Sequence, residues 1–148
     1  MDYVTNSPAE TEALAEKLAA RVVPGTVLAL SGDLGTGKTV FTRGFARGLG
    51  ITDTVNSPTF AIVNEYESHR GPFYHFDVYR IEDADELYEI GFDEYIDEPG
   101  AFILIEWPER IMNLLPKETV FIRLEKDFEQ GPDYRRICIG GKDETFGH

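Results

Sequence analysis

The sequence predicts an α/β fold whose central sheet is mostly parallel and flanked by helices. Two short apolar runs, at residues 26–30 and 101–105, are typical of strands that are buried on both faces of a parallel sheet. Helix-forming segments lie between the strand-like runs, and an alternation of strands with helices is typical of the α/β class. A chain of 148 residues is long enough for one domain with its own core, so we expect a single domain.

The first helix is predicted from its amino-terminal signals. Ser7 supplies a hydroxyl N-cap, Pro8 suits the first helical position and Glu10 completes a capping box. The helix should end near Arg21, before a Pro-Gly pair, and the first buried strand, at residues 26–30, follows.

A second helix is predicted over residues 40–49, where Phe41 and Phe45 recur at helical spacing. Gly44 and Gly48 also lie four residues apart on this helix. Glycines weaken a helix but let another backbone approach it closely. We therefore expect a close backbone contact there.

The rest of the chain adds further strands and one acidic segment. Residues 82–98 are acidic and are expected to be helical for part of their length, and the tail from residue 140 to 148 should be frayed. Further strands are predicted at residues 60–66, 73–79, 120–124 and 135–139.

Composition and charge limit the function classes. The chain has 27 acidic and 14 basic residues, a net charge of −13, so we expect direct contact with DNA or RNA to be local or shared with a partner. No apolar run is long enough to cross a membrane, and the first residues do not resemble a secretory signal. The single Cys138 cannot form an internal disulfide. These features together favour a cytoplasmic location.

The segment SGDLGTGKT, residues 31–39, fills every fixed position of the pattern G-x-x-x-x-G-K-[ST]. A buried strand leads into it and a helix follows, as in loops that direct backbone N–H groups at phosphates. Lys38 would reach the β- and γ-phosphates, and the Thr39 hydroxyl would bind Mg²⁺. The sequence therefore predicts a P-loop NTPase-like domain that spans residues 1–148.

Such a site also needs a carboxylate at the end of a buried strand. Glu106 stands where the second apolar run stops, either as this metal ligand or as a glutamate that marks the edge of the sheet. Trp107 follows it and is the only tryptophan, placed either in the core or close to the nucleotide.

A second candidate carboxylate is Asp77. Strand alternation places His75, Asp77 and Tyr79 on one face, which lines a metal–water site or faces solvent. Thr59, in a loop after the second helix, would either sense the γ-phosphate or end a turn.

The acidic segment at residues 82–98 has nine carboxylates and no basic residue. It is a solvated helix face, a docking surface for a basic partner, or an electrostatic guard around the cleft.

The nucleotide is expected to be ATP, because no asparagine stands in the N-K-x-D tetrapeptide with which GTPases identify guanine. A small-molecule kinase stays open as a function, although the arginines in the middle of the chain are scattered. A nucleotide-gated binding module with incidental hydrolysis is the other alternative.

Four segments occur in the order and rough spacing found in the TsaE family, the bacterial ATPases needed to make threonylcarbamoyladenosine in tRNA. They are SGDLGTGKT, SPTF at residues 57–60, HFDVYR at residues 75–80 and IEW at residues 105–107. The chain resembles that family from Ser7 to about Leu124, whereas its last two predicted strands match only loosely.

The resemblance implies a slow ATPase that uses ATP and Mg²⁺ and works in a complex with the proteins TsaB and TsaD. It would act on tRNA position 37 only indirectly, through those partners. It also implies Lys38, Asp77 and Glu106 as catalytic residues, with Thr39 and Glu106 on the metal, and Ser57 within a switch-like element. The residues implied at the nucleotide are Thr11, Asp33, Leu34, Gly35, Thr36, Gly37, Lys38, Thr39, Val40, Thr59 and Trp107.

Overall fold

Seven strands and four helices make up the part of the chain that the computed structural model describes, which is residues 1–33, 35–53, 55, 58, 62–142 and 145. In chain order the elements are β1 (Asp2–Thr5), α1 (Pro8–Arg21), β2 (Val27–Ser31), α2 (Lys38–Gly48), β3 (Val63–Ser68), β4 (Gly71–Asp77), α3 (Asp85–Glu89), α4 (Phe92–Asp97), β5 (Phe102–Glu106), β6 (Val120–Glu125) and β7 (Arg135–Gly140). Short 3₁₀ turns lie at Pro108–Arg110, Met112–Leu114 and Phe128–Gln130.

The strands form one sheet in the order β1-β7-β6-β2-β5-β4-β3. The four central strands, β6, β2, β5 and β4, pair in parallel. The outer strands β3, β7 and β1 pair antiparallel with their neighbours. The predicted α/β class is therefore confirmed, and the parallel part is the centre of the sheet.

Two apolar layers cover the two faces of the sheet. On one face α1 and α2 pack through Ala15, Phe41 and Phe45. On the other face α3 and α4 pack through Leu87 and Phe92. The carboxylates of the acidic segment lie mostly on the solvent side of these two short helices, which fits a solvated helix face.

The start of α1 follows its predicted capping signals. The N–H of Glu10 donates to the Ser7 hydroxyl oxygen at 3.1 Å, and Pro8 occupies the first helical position. The Glu10 carboxylate accepts from the N–H of Asn6, one residue before the N-cap. The reciprocal bond of the capping box is thus shifted by one residue.

The predicted close contact between helices is also present. A Cβ atom at Gly44 would collide with the carbonyl oxygen of Glu12 on α1, and one at Gly48 would lie 2.5 Å from that of Glu16. The two glycines let the backbones of α1 and α2 touch. This packing fixes α2, and with it the phosphate loop that precedes it, against the sheet.

Two expectations about the chain ends need correction. β1 was not predicted, because its four residues are held by pairing with β7 at the far end of the chain. The frayed tail is wrong at Gly140, which pairs with Phe121 in the sheet. It is also wrong at Thr145, a buried residue whose hydroxyl donates to the Gly141 carbonyl at 2.8 Å.

Among the described residues, no helix combines the length and apolar character that a bilayer crossing requires.

Candidate active site

The glycine-rich loop joins β2 to α2 and turns on two residues with left-handed backbone angles. Gly35 has φ 78° and Gly37 has φ 98°, values that side-chain-bearing residues adopt rarely. The Thr36 hydroxyl donates to the Asp33 carbonyl at 2.8 Å and closes the turn. Helix α2 begins at Lys38, so its free N–H groups lie next to the loop, where they favour an anion.

Lys38 is buried and is held by the loop itself. Its Nζ donates to the carbonyl oxygens of Gly32 at 2.6 Å and Asp33 at 3.0 Å. It also lies 4.2 Å from the centre of the Trp107 ring. Burial lowers the pKa of Lys38, and the charges of Glu106 and other nearby carboxylates oppose that shift.

Two carboxylates face the loop from the carboxyl ends of neighbouring parallel strands. Asp77 ends β4, Glu106 ends β5, and the two are register partners. Burial raises the pKa of Asp77, and the charge of Glu106 raises it further, while the Tyr79 N–H that donates to Asp77 Oδ1 at 3.0 Å opposes the shift. The parallel sheet thus brings together two residues that are 29 positions apart in the sequence.

His75 and Tyr79 occupy different surroundings. His75 is buried, and its Nε2 lies 2.5 Å from Glu106 Oε2. Tyr79 follows the end of β4, is partly exposed, and has its ring 4.7 Å from that of Trp107. Of the two alternatives for this face, the structure favours the one in which its residues surround a site.

Trp107 is half-buried beside the loop and has an unusual backbone. Its φ of 63° is the only positive value among the described residues other than glycine. Its N–H donates to the Leu30 carbonyl at 3.3 Å, which ties the turn after β5 to the strand that leads into the loop. Strain of this kind, about 1–3 kcal/mol, persists where the surrounding structure enforces it and is common at functional sites.

These residues enclose a cleft of about 390 Å³, lined by Gly35, Gly37, Lys38, Thr39, Asp77, Glu106 and Trp107. Its oxygen donors are the Thr39 hydroxyl and the two carboxylates. Mg²⁺ prefers such hard oxygen ligands and takes few of them from the protein when phosphates supply the rest. The donor set therefore fits Mg²⁺ bound together with a phosphate group.

Thr11 and Val40 line a second, smaller cleft that shares Thr36 and Gly37 with the loop. The Thr11 and Thr5 hydroxyl oxygens are 2.6 Å apart, so the unpredicted strand β1 helps to place Thr11. Three of the residues singled out from the sequence, Leu34, Ser57 and Thr59, lie outside the described part of the chain.

Two residues near the loop were not expected from the sequence. Arg135, on β7, donates from Nε to the Thr36 carbonyl at 2.7 Å. Glu109 is close enough to Lys38 to interact with its charge, and burial raises the pKa of its carboxyl group. No local pattern marks either residue, because each reaches the loop only through the pairing of strands or the turn after Trp107.

Comparison with known proteins gives consistent matches along the chain. A family model described as "Threonylcarbamoyl adenosine biosynthesis protein TsaE" matches residues 5–137. The tRNA threonylcarbamoyladenosine biosynthesis protein TsaE of Bacillus subtilis is 50% identical over 139 residues, which cover 94% of this chain and 84% of that protein. The protein of the same name from Rickettsia conorii is 39% identical over 83% of this chain and 70% of its own length.

A solved structure agrees with these matches. The crystal structure of Bacillus subtilis YdiB has a TM-score of 0.75 and 42% identity, with coverage of 93% of this chain and 82% of that one. The matched region includes the loop, both carboxylates and Trp107. The chain therefore belongs to the TsaE family, which is involved in the biosynthesis of threonylcarbamoyladenosine in tRNA.

Proposed function

We propose that this protein is a Mg²⁺-dependent ATPase subunit of the machinery that makes threonylcarbamoyladenosine at position 37 of tRNA. It would act with TsaB- and TsaD-type proteins, and those partners would contact the tRNA. One observation carries the proposal: the loop, Lys38 and the carboxylates of Asp77 and Glu106 border a single cleft.

The loop and Lys38 would bind the phosphates. Lys38 Nζ donates to two carbonyl oxygens of the loop, and a bound γ-phosphate would offer it charged oxygens in their place. Charge-assisted hydrogen bonds are roughly twice as strong as those between neutral groups. The exchange of partners would therefore favour the nucleotide-bound state.

The carboxylates would divide the remaining work. Glu106 and Thr39 would hold Mg²⁺, which when bound neutralises charge on the β- and γ-phosphates. Asp77, half-buried at the end of the neighbouring strand, would accept a hydrogen bond from the attacking water and orient it towards the γ-phosphate. Positioning and electrostatics would supply most of the catalysis.

The products distinguish hydrolysis from phosphoryl transfer to a small molecule. Incubation with MgATP, with and without purified TsaB and TsaD, should yield ADP and inorganic phosphate in equal amounts. A kinase would instead yield ADP with a phosphorylated acceptor and a deficit of phosphate, which would contradict the proposal.

Lys38→Ala should lower the rate of hydrolysis by about 100-fold or more, because it removes a preorganised charge from the transferred phosphoryl group. Lys17→Ala, which removes the same charge from an exposed position of α1, serves as the matched control and should hydrolyse ATP normally. The measurement is phosphate release, with circular dichroism to check the fold. Equal rates for the two variants would remove Lys38 from the site.

Glu106→Gln tests whether hydrolysis is needed or incidental. The amide keeps the size of the side chain but lacks the charge that Mg²⁺ requires, so this variant should bind ATP and fail to sustain tRNA modification over repeated rounds. The measurement is the amount of modified tRNA per protein in a reconstituted reaction. Undiminished multiple-turnover modification without ADP formation would favour a nucleotide-gated binding module.

A further inference from the structure

His75 lies on the apolar face of the sheet that packs against α1 and α2. Its strand neighbour on that face, Phe73, and its register partner on β5, Leu104, both belong to the hydrophobic core. The imidazole is only 1% exposed. Burying a polar ring among hydrocarbon groups is unfavourable unless the ring is hydrogen-bonded, so packing alone does not account for a histidine at this position.

The hydrogen bond is made with Glu106. His75 Nε2 lies 2.5 Å from Glu106 Oε2, and the Glu106 side chain is itself only 4% exposed. A carboxylate oxygen only accepts, so Nε2 carries the hydrogen and donates it. The other ring nitrogen, Nδ1, has no hydrogen-bond partner among the described residues.

The orientation of the imidazole is also fixed. Its plane is within 5° of the Phe73 ring, with the two ring centres 6.4 Å apart. The strand pairing of β4 with β5 then sets where the Nε2–H group meets Glu106. A rigid donor thus holds one oxygen of a carboxylate that ends at the cleft.

We propose that His75 is a positioning residue that fixes the carboxylate of Glu106 in the orientation that receives Mg²⁺. This inference rests on the proposed function, because Glu106 is the metal-binding carboxylate in that proposal. A glutamate that is already ordered loses less side-chain entropy when the ion binds. Groups that orient a metal ligand in this way commonly change metal affinity or activity by about 10–100-fold when they are replaced.

Three substitutions separate the donor from the bulk of the ring. In His75→Gln the amide nitrogen can take the place of Nε2 and keep the bond to Glu106. In His75→Asn the nitrogen lies near the Nδ1 position and cannot reach Glu106, and His75→Phe keeps the ring shape without a donor. The asparagine and glutamine variants remain informative if the phenylalanine variant does not fold.

Calorimetric titration with ADP, in the presence of Mg²⁺ and in the presence of EDTA, measures the contribution of the metal without relying on turnover. We expect His75→Asn and His75→Phe to weaken binding of Mg·ADP by about 10–100-fold and to leave binding of ADP in EDTA unchanged. His75→Gln should restore most of the affinity. An equal loss with and without Mg²⁺, or no difference between the asparagine and glutamine variants, would overturn the proposal.

The same substitutions in a Glu106→Gln background complete a double-mutant cycle. If His75 acts through Glu106, replacing it there should cause no further loss of Mg·ADP affinity; additive losses would contradict the inference. Failure of the proposed function is recognised separately, as a wild-type protein that binds Mg·ADP but does not hydrolyse ATP. A wild-type protein whose ADP affinity is the same with and without Mg²⁺ would overturn the role of His75.

Discussion

Asp77 shows how a single residue can lower stability at a site that needs it. Because the folded-state pKa of Asp77 is raised above its model value of 3.8, mainly by burial, the folded protein holds this proton more tightly than the unfolded chain does. The stability contributed by the protonated carboxyl is lost as the pH rises from 3.8 through the folded-state pKa. At neutral pH the ionised carboxylate therefore destabilises the fold.

Asp77→Asn should accordingly raise the melting temperature at pH 7 while it abolishes most ATP hydrolysis. The asparagine oxygen can still accept the bond from the Tyr79 N–H. Calorimetry would show the gain, at roughly 2–4 °C for each kcal/mol in a chain of this size. The control is Asp53→Asn, the same change at an exposed carboxylate outside the cleft. A lower melting temperature for Asp77→Asn would show that the ionised carboxylate makes a net stabilising contact.

At the residue scale, the sequence predicted what is contiguous or what ends a strand. The loop at residues 31–39 is a local motif, and Asp77 and Glu106 were found from the apolar runs that they terminate. The bonds from His75 to Glu106 and from Arg135 to Thr36 could not be predicted, because they join residues 31 and 99 positions apart. Such contacts depend on strand order and register, which a single sequence does not reveal.

Among the elements, the contact between α1 and α2 is set by Gly44. Alanine is the better helix former by about 1 kcal/mol, but its Cβ would collide with the Glu12 carbonyl on α1. We expect Gly44→Ala to lower the free energy of unfolding by about 1–3 kcal/mol, the range for overpacked cores. Urea denaturation measures this change.

Gly100→Ala is the control, since a Cβ there would meet nothing within 4 Å. It should be neutral or stabilising by up to about 1 kcal/mol, because alanine restricts the unfolded chain. If Gly44→Ala stabilised the protein as well, helix propensity and not steric contact would govern this position.

The edge of the sheet was the least predictable part of the fold. The central strands and the two long helices were recognised because their apolar patterns are local. β1 has only four residues, and its burial and pairing come from β7, so its sequence alone carries too weak a signal. The same pairing keeps Gly140 in the sheet, where a frayed tail was expected.

For the whole molecule, the net charge of −13 decides how it can meet tRNA. Proteins that bind nucleic acids without specificity neutralise phosphates with lysine and arginine and reach dissociation constants of about 10⁻⁴–10⁻⁶ M at physiological salt. An acidic protein repels the same backbone. The isolated chain should therefore bind fluorescently labelled tRNA more weakly than about 10⁻⁴ M at 0.15 M salt, by anisotropy, and should join a tRNA complex only when TsaB and TsaD are added. Micromolar binding by the isolated chain that weakens steeply with salt would mean that it carries a phosphate-binding surface of its own.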